Sequence, residues 1–286
     1  MELSWKITSK HDKWLVRDYL LDVRAFSDRL LKSVKRNGKI LVNGEEVTVR
    51  KQLNQGDEII VIFGQEKRGK GLKSVKMPLN IVYEDEHYIV ISKPRGIAIM
   101  NDGERATLVD GVLAYFDEKN LPFTVHVITR LDRDTSGIVI IAKHRYAHHL
   151  LQPEQISREY LAIIEGTMSK KKGTINLPIG RSPSSIIERI VTEKGKEAIT
   201  KYEVIKENGQ YSLLKLNLLT GRTHQIRVHL SHIGYPIVGD ELYGGKLTMI
   251  EGQALHCYKI SFIHPFLNIR LTFVANIPKE IENIIK

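Results

Sequence analysis

Residues 64–77 of this 286-residue chain read Gly-Gln-Glu-Lys-Arg-Gly-Lys-Gly-Leu-Lys-Ser-Val-Lys-Met, with three glycines, five basic residues and no apolar periodicity. Such a stretch cannot contribute a core strand or a core helix, so it reads as a flexible basic connector between two folding units, 1–63 and 78–286. Charge divides the same way. Residues 1–76 carry 17 Lys+Arg against 10 Asp+Glu, which leaves only +3 of the total +10 for the remainder. A basic module on a nearly balanced body implies a polyanionic partner, either nucleic acid or an acidic membrane surface. No run approaches the ~20 apolar residues needed to cross a bilayer. The amino terminus, with Glu2, Lys6 and Lys10, lacks the apolar segment of a signal peptide. A cytoplasmic protein without membrane association is therefore expected. The lone cysteine, Cys257, excludes an internal disulfide and any multi-cysteine metal site, and its apolar neighbours make it a packing residue.

In the first unit, Ser27 can cap a helix whose Leu30, Leu31 and Val34 form an apolar stripe, while Arg29, Lys32, Lys35 and Arg36 fall on the other side and Gly38 ends it. Lys39-Ile40-Leu41-Val42 follows, then the Asn43-Gly44 pair that favours a tight hairpin, then Gly56-Asp57 ahead of Glu58-Ile59-Ile60-Val61-Ile62-Phe63. The order predicts a helix feeding a small sheet. Beyond the connector the period changes to two. Hairpin strands at Ile81–Tyr83 and Tyr88–Ile91, a buried strand at Ile138–Ala142, a helix over Arg145–Leu151, and strands at Tyr160–Glu165, Thr200–Lys206, Ser212–Leu219 and Ile269–Val274 are expected. The class is α+β, a large, mostly antiparallel mixed sheet with flanking helices, preceded by a small α/β unit.

Two segments carry the chemistry. Thr129-Arg130-Leu131-Asp132-Arg133-Asp134-Thr135-Ser136-Gly137 sets a carboxylate among arginines, and Thr220-Gly221-Arg222-Thr223-His224-Gln225-Ile226-Arg227 follows ninety residues later. Arginine beside a carboxylate favours its charged form, and an ionised, oriented aspartate can act as a nucleophile. Together they resemble the RluA-type pseudouridine synthases of the large ribosomal subunit, whose signature is approximately HRLDxxTSG followed by TGRTHQIR. The resemblance extends to Ile81-Val82-Tyr83-Glu84-Asp85 with Lys93-Pro94-Arg95-Gly96, to Arg158-Glu159-Tyr160-Leu161, to Gly239-Asp240-Glu241-Leu242-Tyr243-Gly244 and to Leu255-His256, covering about residues 79 to 275. One departure is that the family's histidine before the arginine is Thr129, with His126 three positions earlier. Residues 8–63 resemble the αL-motif RNA-binding domain first described in ribosomal small-subunit protein four.

The resemblance implies isomerisation of uridine in RNA: the bond from uracil N1 to ribose C1′ breaks, the base turns, and C5 takes its place. No redox change or group transfer occurs, so neither cofactor nor metal is expected. By the same resemblance Asp132 is the catalyst, Tyr160 packs on the target base, and Arg222 is the ion-pair partner of the aspartate. Arg130 fills the gap left when the uridine flips out of the RNA stack. Arg227 is expected to meet a phosphate or an acidic neighbour, and Arg29, Lys32, Lys35 and Arg36 to add salt-sensitive RNA affinity. Large-subunit (23S) ribosomal RNA is the expected substrate, with transfer RNA the rival. Ribosomal particles are possible partners and the protein is expected to act as a monomer.

Competing readings exist. Asp132-Arg133-Asp134-Thr135 also approaches DxDxT, the nucleophile motif of haloacid-dehalogenase-type phosphatases, with Val238-Gly239-Asp240 posing as the magnesium site. That motif should follow an uninterrupted apolar strand, whereas Thr129 and Arg130 intervene. A noncatalytic RNA-binding or ribosome-assembly protein is the third class, opposed by the joint presence of Asp132, Tyr160 and Arg222. Asp134 reads as a turn residue. His144, His148 and His149 lack a completing ligand and read as surface or RNA-facing. His224, His229 and His232 read as helix-packing or hydrogen-bonding residues on a helix ended by Gly234.

Overall fold

The computed structural model describes residues 1–286 except 70, 101, 102, 104 and 247–249. The first unit is a four-stranded sheet ordered β1 (Glu2–Lys6), β4 (Glu58–Ile62), β2 (Lys39–Val42), β3 (Glu45–Glu46), covered by α1 (Val16–Asp18) and α2 (Asp28–Asn37). Helix α2 starts where expected, with the Ser27 hydroxyl accepting from Leu30 N, and it buries Leu30, Leu31 and Val34 against Val16, Leu20, Ile59 and Val61. Asn43 and Gly44 both take positive φ (52° and 84°), the mirror-image turn whose twist matches its flanking strands. Gly38 ends α2 for a reason other than a left-handed bend. A Cβ there would lie 2.3 Å from the Ile62 carbonyl oxygen, so the small residue permits the helix end to meet β4.

The second unit is built on a sheet ordered β10 (Lys172–Asn176), β13 (Ile199–Glu207), β14 (Tyr211–Leu218), β9 (Ser157–Glu165), β15 (Leu255–Ile263), β8 (Ser136–Ala142), β6 (Tyr88–Lys93), β5 (Ile81–Glu84); β16 (Arg270–Val274) pairs with β15 and β7 (His126–Val127) with β8. Pairing is antiparallel except between β15 and β8. All seven residues of β8 are buried, because both of its faces are covered. One face packs Val139 and Ile141 under α3 (Leu108–Glu118); the other turns Ile138 and Ile140 toward the core beneath α5 (Gln225–His232). Helix α4 (Arg145–Leu150) and a separate hairpin, β11 (Ile179–Arg181) with β12 (Arg189–Val191), flank the sheet, and α6 (Lys279–Glu282) lies near the carboxyl end.

The described residues of the 64–77 stretch are not a free connector. Lys73 N donates to the Asp110 carboxylate at 3.0 Å, the Ser74 hydroxyl to Asp117 at 2.7 Å, and Arg68 and Lys76 pair with Asp117 and Glu118. The segment follows α3 because that helix offers a row of carboxylates to a basic strand. Tyr146 of α4 packs against Phe26 and Phe63 of the first unit, 4.7 and 5.8 Å between ring centroids, and its hydroxyl donates to the Arg24 carbonyl.

Candidate active site

The loop between β7 and β8 carries Asp132. Two features hold it in place. The Thr129 hydroxyl accepts from Ile140 N at 2.9 Å, while Ile128 N and Thr129 N both donate to the Ile140 carbonyl, so the residue standing where the family has histidine serves as a backbone clasp. At the other end Gly137 (φ +116°) sits where a Cβ would lie 2.2 Å from the Cys257 carbonyl oxygen, so only glycine lets β8 meet β15 in parallel there.

Beneath the loop lies Lys93, 1% exposed, donating its three protons to the carbonyls of Pro94, Ile97 and Arg133 at 2.8–2.9 Å. Burial lowers its pKa to about 8, against the pull of Asp134 and Asp132. It ties the strand leaving β6 to the residue that follows Asp132.

Across the cleft, residues 220–225 wind around one amide. Gln225 accepts from the Thr220 hydroxyl and Arg222 N, both at 2.9 Å, and donates to the Ile199 carbonyl and the Thr200 hydroxyl. This turn decides which arginine reaches the aspartate, and it reverses the expectation for Arg222. The Arg222 side chain is directed outward, where Nε donates to the Glu197 carbonyl at 2.9 Å. Arg227 lies inside α5 and is aimed inward. Its Nη1 donates to Asp132 Oδ2 at 3.0 Å, and its Nε and Nη2 grip Asp240 Oδ2 and Oδ1 at 2.7 Å each. The predicted acidic neighbour of Arg227 is thus two aspartates, one of them Asp132. Burial works against the Arg227 charge, but the hydrogen bonds and charge of Asp240 and Asp132 outweigh it and raise its pKa. The Tyr243 ring covers the guanidinium at 4.9 Å from its centroid.

An open cleft of about 650 Å³ above this pair is bordered by Arg130, Asp132, Arg158, Tyr160, Arg222 and His224. Its size falls in the range of ligand pockets. Tyr160 is 5% exposed, and burial pushes its hydroxyl well above the usual phenol range, so it stays protonated. It sits beside Cys257, whose thiol burial raises to about 12, consistent with a packing role for that cysteine. Arg130 is exposed at the rim and Asp132 is partly exposed. The exposed Arg29, Lys32, Lys35 and Arg36 lie on α2, in the other unit.

The remaining candidates separate clearly. Asp240 cannot serve as a free magnesium ligand of the phosphatase type, since both of its oxygens are held by Arg227. His144 is buried and caps α4, accepting from Ala147 N at 3.1 Å, so it is not a surface residue as expected; burial brings its pKa down to about 3. His149 is exposed and His148 half-buried. His229 packs inside, bonded to the Thr200 hydroxyl and the Leu177 carbonyl. Lys93 and Asp240 are site-building residues that sequence reasoning did not place beside Asp132; the signal available was their place in Lys93-Pro94-Arg95-Gly96 and Gly239-Asp240-Glu241-Leu242-Tyr243-Gly244.

The pattern of the RNA pseudouridylate synthase family matches residues 87–232. An uncharacterized RNA pseudouridine synthase of Bacillus subtilis (strain 168) is 42% identical over 278 residues, spanning 95% of this chain and 98% of its own length. Ribosomal large subunit pseudouridine synthase D of Vibrio cholerae is 34% identical over 275 residues, 89% of this chain and 85% of its own. Among solved structures, human RNA pseudouridylate synthase domain containing 4 is similar at TM-score 0.58 and 25% identity, over 71% of this chain and 90% of that one.

Proposed function

The chain belongs to the RNA pseudouridylate synthase family, and we propose that it isomerises uridines of large-subunit ribosomal RNA with Asp132 as the catalyst. The observation that carries the catalytic assignment is the Asp132–Arg227 pair at the floor of a cleft walled by Tyr160. Arg227 occupies Oδ2, which leaves Oδ1 as the oxygen offered to the nucleoside. The reaction conserves every atom of the base but exchanges a proton. N1 leaves C1′, C5 bonds to it, the C5 proton goes to solvent and N1 gains one. Because Arg227 is itself fixed by Asp240, the carboxylate is pre-oriented before RNA arrives and costs little reorganisation during reaction.

Tyr160 supplies an apolar face for uracil and a hydroxyl that enters as a donor, since burial disfavours its phenolate. Arg130, exposed on the residue before Leu131, is placed to stack in the vacated site of the flipped uridine. Arg222 is reassigned from aspartate partner to the mouth of the cleft, where it can meet a phosphate. The basic face of α2 adds binding that is largely blind to sequence. Support for the ribosomal substrate comes from the relatives that act on the large subunit, and that substrate sets the site of action in the cytoplasm. Release of tritium from C5-labelled uridine tests the whole reading, because joining C5 to ribose must expel that hydrogen. The expected result is release from large-subunit ribosomal RNA by the wild type, none with Asp132→Asn, and no requirement for added metal or nucleotide. Release from transfer RNA alone would overturn the substrate assignment.

A further inference from the structure

His224 immediately precedes α5 with φ +57°, ψ +19°, a left-handed conformation uncommon for a residue with a side chain. That backbone turns its ring away from the helix and toward Asp132. The imidazole side chain is 11% exposed and borders the cleft, with Nε2 3.7 Å from Asp132 Oδ1, the oxygen that Arg227 leaves unoccupied. Its other nitrogen, Nδ1, lies 2.8 Å from the Tyr243 hydroxyl. The partner beyond it bears on the direction of that bond. Arg189 N donates to the same hydroxyl at 2.9 Å, which takes one acceptor position of the tyrosine oxygen and leaves its single proton to be donated to Nδ1. The neutral ring then carries its proton on Nε2, facing the aspartate.

Resting on the reading above, we propose that His224 is a positioning residue for Asp132, a neutral imidazole held by Tyr243 with its Nε2 proton aimed at the reactive aspartate oxygen. A separation of 3.7 Å is too long for a hydrogen bond, so the dipole orients Oδ1 without occupying it. A protonated ring would instead form an ion pair and compete with the nucleoside for that oxygen. The charges facing the ring are Asp132 from the β7–β8 loop, Arg227 from α5, Asp240 ahead of Tyr243, and Arg189 from β12, with the neutral Tyr243 hydroxyl on Nδ1. Burial first and Arg227 next lower its pKa, against the raising effects of Asp132 and Asp240, so the neutral form dominates at physiological pH.

Two measurements decide the matter. The first is the pH profile of single-turnover tritium release with His224→Asn, which accepts the left-handed backbone but is too short to reach Asp132, and His224→Gln, which keeps a donor that cannot be charged. His224→Asn should lower the plateau rate about ten- to a hundred-fold with RNA affinity unchanged. His224→Gln should hold the plateau within a few-fold and lose the acid-side decline. A wild-type rate in His224→Asn, or an unaltered acid limb in His224→Gln, overturns the inference. The second is NMR of the imidazole in the full chain without RNA. The neutral ring should be the Nε2–H tautomer, and Asp132→Asn should move its titration to lower pH. An Nδ1–H tautomer or an unmoved titration is fatal to it. Should the wild type fail on every RNA, the substrate reading falls while this titration still decides the role of His224.

Discussion

The charges of the catalytic cleft and those of helix α2 belong to different physical regimes. Arg227 touches two aspartates and is 7% exposed, and Asp240 beneath it is 2% exposed. Removing one member strands the others in a low-dielectric site. On α2, by contrast, Arg29, Lys32, Lys35 and Arg36 stand in water on a helix whose other face does the packing. Their contributions should be small, additive and screened by salt. On the proposed function, fixed charge serves chemistry and free charge serves capture.

The largest effect that would sharpen this contrast is at the centre of the cleft. Asp132→Asn should cut tritium release on the order of 10⁴-fold or more while leaving the RNA dissociation constant within a few-fold. Retained activity would break the assignment outright. Arg227→Met should follow, with kcat down about 100-fold and folding stability lowered by roughly 3–5 kcal/mol, because Asp240 is left buried and unpaired. Urea unfolding of Arg227→Met beside the double variant Arg227→Met/Asp240→Leu separates the two losses, the second change restoring stability but not activity.

Lys93 provides a pH-dependent case. Its folded pKa, about 8, lies below the ordinary 10.5, so between those values the unfolded chain binds the extra proton and stability rises with pH. Across that window the wild type should gain roughly 3 kcal/mol relative to Lys93→Met, in which the term is absent. A constant difference between the two proteins from pH 8 to 10.5 would remove the burial argument. Smallest is the α2 effect. Lys32→Ala/Lys35→Ala should weaken RNA binding several-fold at low salt, reduce the slope of log affinity on log salt by about 2, and leave kcat at saturating RNA unchanged. A salt-independent loss, or a loss in kcat, would show that the two kinds of charge are not separate.

Much of the fold could be read from local pattern. The cap at Ser27, the Asn43-Gly44 turn and the period-two runs at 198–204 and 214–218 each specify a local conformation that the surrounding structure accepts. Helix α3 escaped notice, although Thr107 and Asp110 form a reciprocal cap at its start, because its apolar residues nearly encircle it and blur the helical period. The hairpin of β11 and β12 was likewise hidden, since its strands have three residues each.

The candidate reacting segment with its aspartate, and the excess basic charge of the first unit, were legible in the order of residues, since they depend on chemistry that side chains carry anywhere. Which arginine meets Asp132 was decided only in three dimensions. Arg222 and Arg227 stand five positions apart in one motif. The winding of residues 220–225 around the Gln225 amide sends the first outward and the second into the core. Burial, and with it the protonation of Tyr160, Lys93 and His224, is likewise a property of the packed molecule, because it is set by neighbours that sequence distance does not reveal.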